Sequence, residues 1–421
     1  MQYPLRNTQP REIRAILVQQ VVGGEQSRQP ALLEIEDGRV MRVAAGARAR
    51  DVGEDVLKFP DLWAAPGYFD VHIHGSGGHA VMQATPQALE KLSAVLVRGG
   101  CVAFLATATL SRFDDAFDHL ARIVSAVREA DLPGAEIMGL HLEGPYINPE
   151  KRGGFGLDWI RRPSVTEFDR ILKICGPLLK LMTIAPELPG APEVIDRALE
   201  AGVVVSLGHS SADYDLAREF FRRGATQITH CFNAMTPLHH RAPGLVGAGL
   251  TTDGVFNQLI PDEVHLHPAM LKLVARAKGV EETVLITDAS TLTGLPDGSE
   301  LPGFDGTVKV VGNALRGLDG TLIGSNIHHH QGLLNTLRAS GIGFERGIAV
   351  ATSSPAKSVR LEKEIGSLRP GCRASFNLIN PITLELHATV VRGRLVAASE
   401  AFLNRFPEVG QNLFVPKAER L

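Results

Sequence analysis

Short β-rich runs alternate with longer amphipathic stretches through residues 66–360 of this 421-residue chain. The runs predicted as strands are 69–74, 102–109, 136–143, 180–185, 203–209, 227–232, 256–260 and 283–288. Helical patterns lie between several of them, at 86–97, 113–130, 191–201 and 212–223. Eight strands with intervening helices in about 300 residues favour an α/β fold of the (β/α)8 TIM-barrel type. A doubly wound open sheet is the alternative, but no GxGxxG or GxxxxGK(S/T) phosphate loop follows any strand.

Both ends of the chain carry β patterns as well. Leu33 and Ile35 alternate with acidic residues before an Asp37-Gly38 pair, which is a strong hairpin signal. A similar pattern surrounds Gly393 near the other terminus. We therefore expect residues 1–65 and 361–421 to form one small, discontinuous β-sandwich domain, and residues 66–360 to form the barrel.

Composition excludes several classes of function. With 43 Lys+Arg against 46 Asp+Glu, the net charge is −3, so nothing favours nucleic acid or an anionic membrane as a partner. The four cysteines are far apart and form no CxxC pair, which is typical of a reducing compartment. Since the N-terminus has no apolar signal region and no stretch is long enough to span a membrane, we predict a cytoplasmic protein.

Histidines and carboxylates end five of the predicted strands. They are His72 and His74 on the first strand, Glu143 on the third, His209 on the fifth, His230 on the sixth and Asp288 on the eighth. The carboxyl ends of barrel strands open on one face, and side chains two apart on a strand point the same way. We therefore predict a nitrogen and oxygen site for one or two divalent metals.

This donor set favours hydrolysis. A divalent metal lowers the pKa of bound water and polarises a carbonyl oxygen, and Asp288 is placed to take the proton and return it to the leaving group. The predicted reaction is cleavage of an amide, lactone or related bond. Neither a GxSxG elbow nor a cysteine nucleophile motif supports covalent catalysis.

Six segments carry a resemblance to a known family: PGYFDVHIHG (66–75), HLEGPYINP (141–149), LGHS (207–210), THCFNAM (229–235), RAPGL (241–245) and TDA (287–289). The first resembles the opening strand of the amidohydrolase superfamily. Together the six resemble the N-acetylglucosamine-6-phosphate deacetylase family, in order from about residue 30 to residue 400. The pair HLEGP and THxFNAM is the most specific part.

The resemblance implies a barrel with a small β domain, a homodimer whose subunits complete each other's pockets, and an amino-sugar phosphate as substrate. It implies that Glu143, His209 and His230 bind the main metal, that Asp288 is general base and acid, and that His72 and His74 allow a second metal. It also implies that Asn233, Ala234, His265 and an Arg241 from the neighbouring subunit hold the sugar phosphate. Zinc is the expected ion, with iron, manganese or cobalt as alternatives.

Three positions depart from the family pattern. Phe155 stands where a histidine usually helps to polarise the acetyl carbonyl, and Glu263 stands where a glycine is usual, beside the predicted phosphate site. A histidine triplet at 328–330 is also more than the pattern contains, and we interpret it as a helix start with surface imidazoles.

The leading hypothesis is deacetylation of N-acetylglucosamine 6-phosphate to glucosamine 6-phosphate and acetate. A second keeps the hydrolase but changes the substrate, to N-acetylgalactosamine 6-phosphate, an unphosphorylated N-acetyl sugar or another amide. A third is a non-catalytic protein that binds a sugar phosphate, against which the complete ligand set argues.

Overall fold

The computed structural model describes residues 5–23, 30–50, 52–53, 56–110, 114–303 and 306–407. The ends of the predicted terminal domain at 1–4 and 408–421, and position 113 of a predicted helix, lie outside these ranges. Among the described residues, no helix has the length and apolar character needed to cross a membrane.

Eight parallel strands pair in chain order, and we number them barrel strands 1 to 8. They are Tyr68–Ile73, Cys101–Ala108, Glu136–Glu143, Leu179–Ile184, Val204–Leu207, Gln227–Ile228, Phe256–Leu259 and Thr283–Leu285. The sheet closes just beyond strand 8, where the Asp288 amide donates to the His72 carbonyl at 3.0 Å and the His74 amide donates to the Ala289 carbonyl at 2.8 Å. The predicted barrel is confirmed, and the open sheet is excluded.

A helix follows each barrel strand. These helices are Pro86–Leu96, Ala116–Glu129, Val165–Cys175, Ala191–Glu200, Tyr214–Arg223, Gly244–Thr251, Pro268–Lys278 and His329–Ser340. Three further helices are Phe344–Gly347, Ser353–Ser358 and Glu400–Arg405, and the short 3₁₀ helices are Val81–Gln83, Val97–Gly99, Pro149–Lys151, Leu157–Trp159, Gly176–Leu178 and Ile348–Ala351. Several begin at a side-chain cap, as where Asp213 accepts from the Leu216 amide at 2.9 Å. Their apolar faces and the strands form one large core.

A second, antiparallel sheet separates barrel strand 8 from its helix, and we call it the insert sheet. Its strands are Glu300–Gly303, Gly306–Val311, Ala314–Gly317 and Leu322–Ser325. It has a small core of its own, which includes Val308, Val310 and Leu315. This sheet was not predicted from the sequence. A two-stranded ribbon, Gly75–Ser76 with His79–Ala80, follows barrel strand 1.

Strands from both termini join in one eight-stranded sheet, which we call the terminal sheet. In spatial order they are Leu5–Glu12, Arg394–Ser399, Leu386–Val391, Phe376–Ile379, Leu57–Pro66, Ala15–Val21, Ala31–Glu36 and Arg39–Ala45. The Asp37-Gly38 hairpin is confirmed, with φ of 49° and 72° at its two turn residues. The sheet encloses a separate core. The division into residues 1–65 with 361–421 and residues 66–360 stays a prediction.

Candidate active site

Three of the predicted metal ligands occupy turns just beyond the ends of barrel strands. His209, His230 and Asp288 have positive φ of 50°, 27° and 47°, and strands 5, 6 and 8 end two, four and three residues earlier than predicted. For a residue other than glycine, this left-handed backbone conformation costs about 1–2 kcal/mol. Such strain persists where surrounding contacts hold the backbone, and it concentrates at functional sites.

The six predicted ligands converge at the carboxyl end of the barrel, around Glu143. Its Oε1 lies 3.2 Å from Nε2 of His72, 3.2 Å from Nε2 of His209 and 3.3 Å from Nε2 of His230, and its Oε2 lies 3.0 Å from Nε2 of His74. Oδ1 of Asp288 lies 3.4 Å and 3.5 Å from Nε2 of His72 and His74. We call these six residues the ligand cluster.

Burial and charge act in opposite directions on the ligand cluster. Burial opposes ionisation of Glu143, but the surrounding imidazoles outweigh it and hold the pKa of the carboxyl well below its ordinary value. Burial also opposes the charged form of His74, but hydrogen bonds with Asp288 and Glu143 outweigh it and raise its pKa to about 10. The carboxylates therefore favour a positive charge at this site.

The donor spacing suits divalent cations. The ligand cluster divides into two triads, His72, His74 and Asp288, and Glu143, His209 and His230, each with its donor atoms within 4.8 Å of one another. Within them, the two Nε2 atoms of the first triad lie 3.3 Å apart and those of the second 3.1 Å apart. An ion about 2.1 Å from four tetrahedral donors separates neighbouring donors by about 3.4 Å. The imidazole and carboxylate donors fit one or two divalent ions.

Two loops hold His209 in its ligand orientation. Its Nδ1 lies 2.8 Å from the Lys151 carbonyl, which can only accept, so Nδ1 carries the proton and Nε2 presents its lone pair to the cluster. Glu187 ties the same loops together, because its carboxylate accepts from the Ser210 hydroxyl at 2.7 Å, the Ser211 amide at 2.6 Å and the Asn148 amide group at 2.8 Å.

Five of the six residues of the ligand cluster form the floor of a cavity of about 270 Å³, whereas His72 is fully buried and does not line it. Its walls are mostly apolar, with Phe155 and Ile260 beside Leu322 and Ile323 of the insert sheet. A few polar groups converge on it as well, which is typical of small-molecule sites. The unpredicted insert sheet thus supplies one wall of the site.

Three of the four predicted sugar-phosphate residues line this cavity: Asn233, Ala234 and His265. His265 is held by the fully buried Asp262, whose Oδ2 lies 2.6 Å from its Nδ1. Arg241 does not line the cavity; it is exposed, and its guanidinium donates to His240 at 2.8 Å. Within one chain, the structure therefore brings together all the predicted site residues except Arg241.

Comparison with known proteins places this fold and site in a family. The amidohydrolase family matches residues 63–402. The chain belongs to the amidohydrolase family. As an amidohydrolase it is a hydrolase, and the predicted resemblance to N-acetylglucosamine-6-phosphate deacetylases is confirmed by relatives that match over most of the chain.

Two curated relatives of this amidohydrolase cover most of its length. An N-acetylglucosamine-6-phosphate deacetylase of Bacillus subtilis is 32% identical over 87% of this chain and 92% of its own. An N-acetylgalactosamine-6-phosphate deacetylase of Escherichia coli O157:H7 is 36% identical over 80% of this chain and 90% of its own. Among solved structures, an N-acetyl-D-glucosamine-6-phosphate deacetylase of Mycobacterium smegmatis, in complex with N-acetyl-D-glucosamine-6-phosphate, superposes with a TM-score of 0.83 at 29% identity, covering 91% of this chain and 99% of that one.

Phe155 gives this amidohydrolase an apolar wall where a histidine was expected. Its ring packs edge-on against His209, with centroids 5.4 Å apart and planes at 84°. The contact supports the ligand's orientation, but a phenyl ring has no hydrogen-bond donor to offer a carbonyl.

Glu263 points away from the cavity. Its carboxylate accepts from Arg338 at 2.7 Å, and its φ of 66° is the conformation that a glycine adopts without strain. Because the Glu263 side chain points towards Arg338, the expected repulsion between its carboxylate and a phosphate is relieved.

The interpretation of residues 328–330 as surface imidazoles is wrong, although the helix does begin there. His329 is 2% exposed and stacks on Tyr68, while His330 lies 2.7 Å from the Tyr68 hydroxyl and 2.9 Å from the Leu384 carbonyl. These imidazoles pack the helix against barrel strand 1 and do not line the cavity. The partners of His330 lie on distant segments, and Nδ1 of His329 lies 3.5 Å from Oδ2 of Asp70, contacts that sequence spacing does not reveal.

Proposed function

We propose that this amidohydrolase removes the N-acetyl group of N-acetylglucosamine 6-phosphate, yielding glucosamine 6-phosphate and acetate. The observation that carries the proposal is the convergence of both donor triads, through Glu143, on the floor of one small cavity. The relatives named above, which carry this activity in their names, support the choice of substrate.

The ligand cluster holds the metal in this proposal. Glu143, His209 and His230 would bind the main ion, and His72, His74 and Asp288 would bind a second. Zinc suits these nitrogen and oxygen donors, as do iron, manganese and cobalt. A bound divalent ion lowers the pKa of water and polarises the acetyl carbonyl, which Phe155 is unable to do.

Asp288 moves the proton. It lines the cavity, and although burial opposes its ionisation, the charges of His72 and His74 outweigh burial and lower the pKa of its carboxyl. The ionised carboxylate takes a proton from the attacking water as the water oxygen bonds to the carbonyl carbon. It then gives that proton to the sugar nitrogen as the C–N bond breaks, releasing acetate and the amine.

The phosphate end is bound away from the ligand cluster. Asn233, Ala234 and His265 line the cavity, and Asp262 fixes the imidazole of His265 through Nδ1, which leaves Nε2 for a ligand. Arg241 contributes from a second copy of the chain, since it is exposed outside its own cavity. Its planar guanidinium suits a phosphate through paired, charge-assisted hydrogen bonds. The protein is accordingly a homodimer, and we place it in the cytoplasm.

N-acetylgalactosamine 6-phosphate is the second candidate substrate, because a relative named for it is 36% identical to this chain. The two sugars differ only in the orientation of one ring hydroxyl, so the contacts at that position decide between them.

A substrate panel tests the proposal. Acetate release is measured with N-acetylglucosamine 6-phosphate, its galactose epimer and the unphosphorylated sugar, with the metal content of the same sample determined. The highest kcat/KM is expected for the glucose form with phosphate. A higher value for the epimer selects the second candidate, and no acetate from any of the three by metal-loaded protein refutes the proposal.

A further inference from the structure

A chain of buried amides leads from His72, through barrel strands 7 and 6, to the Ser358 carbonyl. Nδ1 of His72 lies 3.3 Å from Oε1 of Gln258, on barrel strand 7. Nε2 of Gln258 donates to Oε1 of Gln227 at 3.0 Å, and Nε2 of Gln227 donates to the Ser358 carbonyl at 2.6 Å. Both glutamines are fully buried. We call this chain the amide relay.

The direction of every hydrogen bond in the amide relay follows from its last member. A main-chain carbonyl can only accept, so Gln227 must present its NH₂ group to Ser358 and its oxygen to Gln258. Gln258 must then present its NH₂ group to Gln227 and its oxygen to His72. An amide oxygen can only accept, so Nδ1 of His72 must carry the proton. Nε2 of His72 is thereby left with its lone pair, 3.3 Å from Nε2 of His74 and 3.4 Å from Oδ1 of Asp288.

We propose that Gln258 is a positioning residue that selects the metal-binding tautomer of His72 and so controls binding of the second ion. The inference rests on the proposed two-ion centre. Gln258 does not line the cavity, so it acts through His72 and not on substrate. Partners of this kind at a ligating histidine typically affect metal affinity by 10–100-fold.

A histidine in each triad is oriented by a different kind of partner, so the proposal predicts an effect on one ion and not on the other. His209, in the triad with Glu143 and His230, is oriented by the main-chain carbonyl of Lys151, which no side-chain substitution removes. His72, in the triad with His74 and Asp288, is oriented by a replaceable side chain, that of Gln258. Loss of the Gln258 amide should therefore weaken binding of the second ion and leave binding of the main ion unchanged.

The test is metal binding, measured by titrating zinc into metal-free protein against a chromophoric chelator. Gln258→Met preserves length and volume but removes the amide, and we expect its second ion to bind about 10–100-fold more weakly while the first keeps its affinity. Asn257→Leu is the matched control, because Asn257 is also fully buried on strand 7 but its side-chain amide donates to the carbonyls of Gly249 and Val255 and not to a predicted ligand. Its two zinc affinities are expected to equal those of the wild type.

A second variant keeps the inference testable if Gln258→Met does not fold. Gln227→Met removes the anchor that orients Gln258, and we expect a smaller loss confined to the second ion. Unchanged zinc affinities in the folded variants, or losses shared equally by both ions, overturn the inference. Wild-type protein that binds no zinc would instead refute the proposed metal centre, so the two failures are distinguishable.

Discussion

Nε2 of His209 lies 3.1 Å from Nε2 of His230, closer than either nitrogen lies to the Glu143 carboxylate. The Lys151 carbonyl fixes the proton of His209 on Nδ1, so a lone pair faces its neighbour. A cation bound by both nitrogens and by Glu143 makes this close approach favourable. The relationship supports the proposed metal site at the cavity floor.

Asp288→Asn should lower kcat by about 10²–10⁴-fold, because the amide keeps the shape of the carboxylate but is unable to accept the proton of the attacking water. Steady-state acetate release measures the effect, and metal content is determined on the same sample. Asp297→Asn is the control, since Asp297 is exposed and bonds only to the Gly312 amide. Undiminished turnover by metal-loaded Asp288→Asn would rule out the proton transfer assigned to Asp288.

Arg241→Ala should raise KM for the phosphorylated sugar by about 10–100-fold, since charge-assisted hydrogen bonds contribute about 1.5–3 kcal/mol each. Turnover of the unphosphorylated sugar should not change. Arg122→Ala, which removes an exposed arginine paired with Asp115 on the outer face, serves as the control. Equal effects of Arg241→Ala on both sugars would contradict the phosphate role.

Mixing two defective proteins tests whether the site is shared. If Arg241 acts in the neighbouring pocket, a heterodimer of Arg241→Ala and Asp288→Asn chains contains one site with both lesions and one site with neither. An equal mixture that exchanges subunits should then regain about a quarter of wild-type activity at low substrate. Activity that stays at the mean of the two parents would show that Arg241 serves its own chain or none.

Gly153→Ala should weaken binding of the main metal ion. A Cβ at Gly153 would lie 3.3 Å from Cε1 of His209, and the glycine has a φ of 56°. Gly341→Ala is the matched control, because Gly341 also has a positive φ, 76°, but meets nothing within 4 Å. Both variants should lose thermal stability, through backbone strain of about 1 kcal/mol. Only Gly153→Ala should lose zinc affinity, and equal zinc affinities in the two variants would contradict the role of this contact.

The barrel and the ligand cluster were predictable because both follow from local patterns. Strand-like runs ending in His72, Glu143 or Asp288 require only that the carboxyl ends of parallel strands share a face. The exact strand ends were not predictable, since the positive φ of His209 and His230 is imposed by neighbouring loops and not by their own preferences.

The insert sheet was missed although a signal was present. Two β-rich runs flank Gly312-Asn313, a turn pair typical of a hairpin, and Gly312 has a φ of 58°. The alternation of strands and helices on both sides favours parallel units, and it outweighs the weaker hairpin signal of this antiparallel segment.

Contacts between residues on different barrel strands could not be predicted from the sequence. Gln227 and Gln258 look like ordinary polar residues, and only the closed barrel brings the second of them to His72. The same holds for His329 and His330, which contact Tyr68 about 260 positions earlier in the chain.

The most direct test of the account removes the metal and restores it. Protein stripped by a chelator should release no acetate from N-acetylglucosamine 6-phosphate, and activity should return in proportion to the zinc, iron, manganese or cobalt that is bound again. The stripped protein should also unfold at a lower temperature, because an ion at 100 times its Kd stabilises the folded state by about 2.7 kcal/mol. Acetate release at an undiminished rate by protein shown to be free of metal would contradict the account.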